Sequence, residues 1–138
     1  LLLLCGVLAG VGTLHLLPPE PFDELVPRPL GSPRIWTYAS GVAELTGASL
    51  LGIPRTRRLG GWFVAGLFIA IFPGNVKAAL DGGMQAAPAP LASSAAAWIR
   101  LPLQLPLILW ALRHARGRGV RSGRRLGGGG SGGASGRA

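Results

Sequence analysis

Long apolar segments follow one another along the chain, separated by shorter stretches rich in proline, arginine and glycine. There are four of them, at about residues 1–17, 34–53, 59–78 and 95–112. A helix rises about 1.5 Å per residue, so about 20 residues cross the ~30 Å hydrocarbon layer of a bilayer. The pattern predicts an all-α protein in which residues 1–113 form a transmembrane four-helix bundle.

The second segment, residues 34–53, carries its polar residues on one side. Glu44 is the charge inside it. The residues within about 60° of Glu44 on a helix of 3.6 residues per turn are mostly small or hydroxylated; they are Thr37, Ser40, Gly41, Gly47, Ala48 and Leu51. The opposite face carries Ala39, Val42, Thr46, Leu50 and Ile53. An ionised carboxylate that faces lipid is costly, so we expect Glu44 to face the bundle interior and to pair there with Arg100 or His15.

Small residues recur at helical spacing in two other segments. Gly6 and Gly10 are four apart, and Gly66, Ala70 and Gly74 repeat every four residues. Such stripes allow transmembrane helices to approach closely. We therefore expect both stripes to lie at helix–helix contacts.

The segments between the predicted helices are irregular in composition. Residues 18–33 are rich in proline, which is unfavourable within a helix, so they are predicted to form a structured connection between the first two helices. The adjacent acids in this connection, Asp23 and Glu24, are expected to be solvated. Either Ser93 or Ser94 is expected to cap the N-terminus of the fourth helix.

The N-terminal segment allows two interpretations. Residues 1–17 carry no charge and one histidine, and the chain does not begin with Met, so we expect the first helix to be longer than the sequence given. A secretory signal peptide is the alternative. It requires a positively charged start and a small-residue cleavage site, and neither is visible.

The composition of the chain favours a membrane protein over a soluble protein. Hydrophobic residues make up 49% of the 138 residues and charged residues only 14%, whereas about 25% is usual in soluble domains. A buried core helix of a soluble protein remains the alternative for residues 34–53. The composition predicts a multi-pass protein of the cell membrane whose first partner is the lipid bilayer.

The net charge of +9 is unevenly placed. Most of the 14 Lys and Arg residues lie in the turn 54–58 and in the C-terminal region from Arg113 onward. Basic residues concentrate on the cytoplasmic side, so the turn and both termini are expected to be cytoplasmic. The tryptophans fit this orientation as interfacial residues, with Trp36 and Trp98 at outer helix ends and Trp62 and Trp110 at inner ends.

Residues 114–138 are predicted to form a basic, glycine-rich, disordered cytoplasmic tail. Its arginines are not interleaved with aromatic residues that could stack on bases. Nucleic acid is therefore not an expected partner.

Candidate chemistry is confined to a few polar residues within the apolar segments. The candidate ligand-binding or intramembrane polar cluster is His15, Glu44, Asn75, Lys77, Arg100 and Gln104. Arg, Lys and His donors could receive a quinone carbonyl, so a quinone is the cofactor compatible with this set. Two alternatives stay open: these groups satisfy one another and lock the bundle, or they form a solute or proton path.

Self-contained catalysis is not expected. The single Cys5 excludes an internal disulfide and a cysteine metal cluster, and the sequence has no haem-attachment, nucleotide-binding or zincin motif. His15 and His114 are expected on opposite sides of the membrane, where they cannot ligate one metal. No catalytic residue and no metal site is therefore predicted.

Several motifs in fixed order resemble a known family. These are GTLHLLPPEPFDELVPRPL, YASGVAELTGASLLGIPRTRRLGGW, FIAIFPGNVKAALDG and RLPLQLPLILWALR. From about Gly12 to Arg113 the chain resembles bacterial DoxX-like membrane proteins, with Gly74 where relatives often have alanine. The resemblance implies a four-helix membrane protein of the DoxX/DoxD type, named for a subunit of thiosulfate:quinone oxidoreductase.

The function implied by this resemblance is an accessory or quinone-linked membrane subunit of an oxidoreductase system. Its partners would be a soluble redox protein or further copies of the chain. A small proton-coupled transporter with its site at Glu44, or a purely structural membrane scaffold, are the alternatives. The name of a family transfers fold better than activity.

Overall fold

The computed structural model describes residues 1–116. All the regular secondary structure in this part of the chain is helical, and no strand is present in it. The elements are α1 (Leu2–Leu16), α2 (Glu20–Asp23), a 3₁₀ turn (Arg28–Leu30), α3 (Pro33–Gly52), α4 (Arg57–Leu80) and α5 (Ser94–Ala115). The predicted all-α class is confirmed. Residues 117–138, which hold most of the predicted disordered tail, lie outside the described residues.

The long helices begin and end within about one turn of the predicted positions. Helix α5 begins after Ser93, whose Oγ accepts a hydrogen bond from the backbone N–H of Ala96 at 3.2 Å. This confirms one of the two expected caps. At its other end α5 continues to Ala115, so Arg113 and His114 belong to the helix and not to the tail.

Consecutive long helices pack side by side and run in opposite directions. Helix α1 packs on α3, α3 on α4, and α4 on α5. The end of α3 lies beside the start of α4, where Gly60 approaches the backbone of Leu50 and Leu51. The start of α4 in turn lies beside the end of α5, at Gly61 and Ala115. The chain thus reverses direction between consecutive long helices, through a short turn between α3 and α4 and through longer connections before α3 and after α4.

Two apolar clusters hold these helices together. The first contains Leu4, Leu8, Leu51, Val64, Ala65, Phe68 and Ala111. The second contains Ala78, Ala79, Met84 and Ala97, with Phe22 and Leu25 packed against it. The first cluster joins the start of α1 to the end of α5, and the second joins the α4–α5 connection to the α2 region.

The expected small-residue stripes are not the places where the helices meet. A Cβ added at Gly6, Gly10 or Gly66 would have open space around it. At Gly12 an added Cβ would lie 2.9 Å from the carbonyl oxygen of Gly41, and the reverse distance is also 2.9 Å. The closest approach of α1 and α3 is therefore at Gly12 and Gly41, and the expectation for Gly6 and Gly10 is wrong.

Two of the described helices are long and apolar enough to cross a membrane. They are α4 and α5, and only 28% and 17% of their apolar windows are buried. Helix α1 is apolar but has only 15 residues. Helix α3, which contains Glu44, is not among the helices long and apolar enough to cross a membrane. Core helices of soluble proteins can share this length and composition. The two helices make the chain a candidate for membrane association.

Candidate functional site

Helix α3 presents its polar face to the interior of the protein. The buried residues of this helix are Thr37, Gly41, Glu44, Gly47 and Leu51. They are the face predicted around Glu44 from helical periodicity, and that prediction is confirmed. The side chain of Glu44 is 3% exposed although it carries an ionisable group. Burial of a carboxylate requires compensation from its neighbours.

The close approach of Gly12 to Gly41 brings His15 beside Glu44. His15 Nδ1 lies 3.3 Å from Glu44 Oε2, and the histidine is 7% exposed. His15 Nδ1 also lies 2.9 Å from the carbonyl oxygen of Val11. A carbonyl can only accept, so Nδ1 carries a hydrogen. Because Nδ1 directs this hydrogen at Val11, the 3.3 Å contact does not provide Glu44 Oε2 with a hydrogen bond. Oε2 has no hydrogen-bond partner among the described residues.

The segment around α2 covers His15 and is fastened by its acids. The ring of Phe22 stacks on His15 with centroids 3.8 Å apart. Asp23 accepts hydrogen bonds from Arg34 Nε at 2.9 Å and Thr37 Oγ1 at 2.6 Å. Glu24 Oε1 accepts from the N–H of Ala86 at 3.0 Å. The expectation that these two acids are merely solvated is wrong, because α3 and the α4–α5 connection donate hydrogen bonds to them. These donors lie too far along the chain to be predicted from the residues next to the acids.

The α4 and α5 side carries a second polar group. Gln104 is 4% exposed; its Nε2 donates to the carbonyl oxygen of Phe68, and its Oε1 accepts from Asn75 Nδ2 at 2.8 Å. Arg100 is half-buried nearby, with Nη1 2.8 Å from the sulfur of Met84. Arg100 therefore contacts the α4–α5 connection and makes no ion pair with Glu44, whereas His15, the other expected partner, is beside it.

Lys77 lies apart from these residues. Its Nζ donates to the carbonyl oxygen of Glu24 at 2.7 Å and to Asp81 Oδ2 at 2.6 Å. The bond to Glu24 joins the α2 region to α4, and the bond to Asp81 lies within the end of α4. Lys77 therefore ties the chain at this end and does not line the cavity described next.

A cavity of about 670 Å³ lies between the helices and brings the other five candidate residues together. They are His15, Glu44, Asn75, Arg100 and Gln104. The aromatic residues Phe22, Trp36 and Phe68 also line it, and most of the remaining wall is aliphatic. Cavities of roughly 300–1,000 Å³ with apolar walls and a few polar groups are typical of small-molecule sites.

The polar groups of the cavity include both hydrogen-bond donors and an acceptor, and they are compatible with an apolar ring that carries oxygen substituents. Arg100 offers guanidinium hydrogens, and Glu44 Oε2 is a buried acceptor without a full partner. A metal ion has no comparable set, because residues 1–116 contain no group of three or more His, Cys, Asp or Glu side chains placed to hold one. The cavity is thus equipped for a neutral or weakly polar organic molecule.

The comparison with known families covers the whole of this cavity. Residues 4–115 match a protein family described as Domain of unknown function (DUF8561). No curated protein and no solved structure matches the chain. The match includes every cavity-lining residue and all of the helices except the first two residues of α1, so the chain belongs to this family of unknown function.

Proposed function

We propose that the chain is an integral membrane protein that binds a small molecule of the quinone class between its helices. In this proposal it serves as the quinone-linked or accessory membrane subunit of an oxidoreductase system. The observation that carries the proposal is the cavity of about 670 Å³, in which a few buried polar groups interrupt an apolar wall.

The outer surface of α4 and α5 supports a bilayer environment. Ile69 on α4 is 61% exposed, and Leu105 and Ile99 on α5 are 60% and 59% exposed. Each exposed large apolar side chain costs about 1.5–3 kcal/mol in water relative to full burial. Lipid removes that cost, and the helices satisfy their own backbone groups there. Helices α1 and α3 pack along this pair, so we propose four crossings.

The basic residues support an orientation with both termini in the cytoplasm. Arg57 and Arg58 stand at the start of α4, and Arg113 and Arg116 at the end of α5. These two ends are adjacent, because Gly61 touches the backbone of Ala115. A concentration of arginine at one end of a membrane helix assembly marks the cytoplasmic side. The cavity then lies toward the outer side.

The chemistry of the cavity supports a quinone-class ligand. Phe22, Trp36 and Phe68 supply aromatic surface for a planar ring, while Arg100 and Asn75 supply N–H donors for its oxygens. When bound, a quinone supplies two-electron, two-proton redox chemistry. The residues of this chain hold and orient the ring, exclude water from it and provide polar contacts at its edge.

The resemblance to DoxX-like proteins supports the role of a subunit. This part of the proposal depends on the resemblance of the motifs between Gly12 and Arg113 to DoxX-like proteins, whose name comes from a subunit of a quinone-reducing enzyme. The electron donor would then be a soluble redox partner, with the lipid bilayer and further copies of this chain as the remaining partners. Copurification of a soluble redox protein with the tagged chain tests this part.

Quenching of tryptophan fluorescence tests ligand binding at the cavity. Trp36 lines the cavity, whereas Trp98 does not, and the two are similarly exposed at 46% and 52%. A short-chain benzoquinone added to the full chain in nanodiscs should give a saturable quench that W36F removes and W98F keeps. Collisional quenching by dissolved quinone is not saturable and affects every tryptophan. The absence of any saturable component would contradict the proposal.

Glu44 favours one alternative, a small proton-coupled transporter. Its Oε2 is buried without a hydrogen-bond partner, and acidic side chains within membrane segments mark proton pathways in many transporters. The isolated chain in sealed vesicles would then drive solute flux along a proton gradient. Flux of this kind without saturable quinone binding would favour the transporter, and neither activity would leave a structural scaffold.

A further inference from the structure

We propose that the ligand donates a hydroxyl hydrogen to Glu44 Oε2. The cavity would therefore select a hydroxy-aromatic molecule, such as a phenol or a hydroquinone, over its carbonyl counterpart. This inference rests on the proposed small-molecule function of the cavity and specifies the chemical form of the ligand. It follows from the hydrogen-bonding state of one buried oxygen atom.

Glu44 Oε2 is the buried side-chain oxygen or nitrogen in residues 1–116 that lacks a hydrogen-bond partner. Its residue is 3% exposed and lines the cavity. A buried acceptor without a partner destabilises the protein, because it has lost its hydrogen bonds to water and gained none in return. The other buried polar side chains, His15, Thr37 and Gln104, all make hydrogen bonds within the protein. A ligand that completes the bonding of Oε2 recovers this cost.

The group that completes it must be a donor. His15 Nδ1 carries its hydrogen, because it lies 2.9 Å from the carbonyl oxygen of Val11. That single hydrogen is used by Val11, so the 3.3 Å contact of the same nitrogen with Glu44 Oε2 leaves this oxygen without a donor. A carboxylate oxygen accepts more than one hydrogen bond, which leaves room for a further donor. A quinone carbonyl offers only lone pairs, whereas a hydroxyl group offers a hydrogen.

Arg100 offers the ligand a second polar contact in the same cavity. Its guanidinium has five N–H donors, and its side-chain hydrogen bond within the described residues is to the sulfur of Met84. A sulfur atom is a weak acceptor, so donors remain for an oxygen of the ligand. A ring with an oxygen at each end, donating to Glu44 and accepting near Arg100, uses both groups. Hydroquinones meet this requirement.

The test compares three probes that share one ring and differ in the groups at its two oxygens. A short-chain hydroquinone, the corresponding benzoquinone and the dimethyl ether of the hydroquinone are titrated calorimetrically, under argon, into the full chain in nanodiscs. Completing the bonding of a buried acceptor that otherwise has no partner is worth about tenfold or more in affinity. We expect the hydroquinone to bind about tenfold or more tightly than the quinone, and the ether, which has no donor, to match the quinone.

Substitutions at Glu44 identify the acceptor. E44L should abolish the preference for the hydroquinone. E44Q keeps the shape of the side chain and adds N–H donors, so it should narrow or reverse the preference for the hydroquinone over the quinone. This variant keeps the test decisive if E44L does not fold. The control is E20Q, since Glu20 carries the same group outside the cavity and its side chain is 58% exposed. The preference should be unchanged in E20Q.

The outcomes separate this inference from the proposed function. Saturable binding of all three probes with equal affinity would overturn the inference and keep the small-molecule site. A preference for the hydroquinone that persists in E44Q at full size would also overturn it. The absence of saturable binding by any probe would overturn the proposed function, and this inference with it.

Discussion

Glu44 and His15 bring two ionisable groups into contact where water scarcely reaches them. Their residues are 3% and 7% exposed, and Nδ1 and Oε2 are 3.3 Å apart. In such a pair the loss of one partner leaves the other buried without compensation, which costs more than the loss of both. The pair therefore behaves as a unit, and the stacked ring of Phe22 keeps solvent from the histidine.

A double-mutant cycle measures this coupling directly. We expect the cycle of E44L and H15L to give a coupling of about 1 kcal/mol in the free energy of unfolding in detergent, since residues in contact couple by roughly 0.5–3 kcal/mol. The matched cycle of E44L and R100L should give less than about 0.5 kcal/mol, because Arg100 contacts Met84. A larger coupling for Arg100 than for His15 would contradict this geometry.

At the scale of elements, the crossing of α1 and α3 sets the distance between Glu44 and His15. Gly12 and Gly41 face each other, and a Cβ on Gly41 would also lie 2.8 Å from the Cβ of His15. Any larger side chain at these two positions moves the helices apart. The absence of Cβ atoms here is thus what allows a histidine on one helix to reach an acid on the next.

Substitution of the two glycines in α1 tests this crossing. G12A should lower the free energy of unfolding by about 1–3 kcal/mol, because overpacking at a tight contact forces backbone shifts. G10A, on the same helix with open space around the added methyl group, should be neutral or slightly stabilising. Thermal unfolding in detergent compares the two. Equal effects of G12A and G10A would show that the crossing is not tight.

For the molecule as a whole, positive charge is concentrated at one end of residues 1–116, whereas the opposite end carries acids together with Arg28, Arg34 and Lys77. Arg57 and Arg58 lie at one end together with Arg113 and Arg116. The acids other than Glu44 lie at the opposite end, around α2 and after α4; they are Glu20, Asp23, Glu24 and Asp81. In a bilayer this separation orients the helices, since arginines favour the cytoplasmic, anionic face.

Reporter fusions test the proposed orientation and number of crossings. A fusion after Gly82, in the connection between α4 and α5, should report an external location. A fusion after Arg116 should report a cytoplasmic one. The control is a fusion after Thr56, between α3 and α4, which should also be cytoplasmic. The same location for the fusions after Gly82 and Arg116 would contradict a crossing by α5.

The sequence alone determined the local features of this protein. The positions of the four long helices, the buried face of α3 and the cap at Ser93 all follow from residues within one or two turns of each other. The helical period of 3.6 residues links such neighbours whatever the rest of the chain does. The candidate polar residues could be found in the same way, because polar groups are conspicuous within apolar segments.

Only the tertiary structure decided which distant groups meet. Gly12 and Gly41 make the close crossing, while the better sequence motif at Gly6 and Gly10 faces open space. Asp23 reaches Arg34 and Thr37 instead of solvent. These contacts depend on the offset and angle between packed helices, which arise from the fit of whole surfaces.

The composition of the cavity has the same origin. Lys77 is as conspicuous in the sequence as Arg100, yet it is held by Glu24 and Asp81 outside the cavity. The sequence identified side chains able to contact a ligand, because that ability belongs to each residue type. Their convergence on one cavity depends on residues far apart in the chain, and no local spacing encodes it.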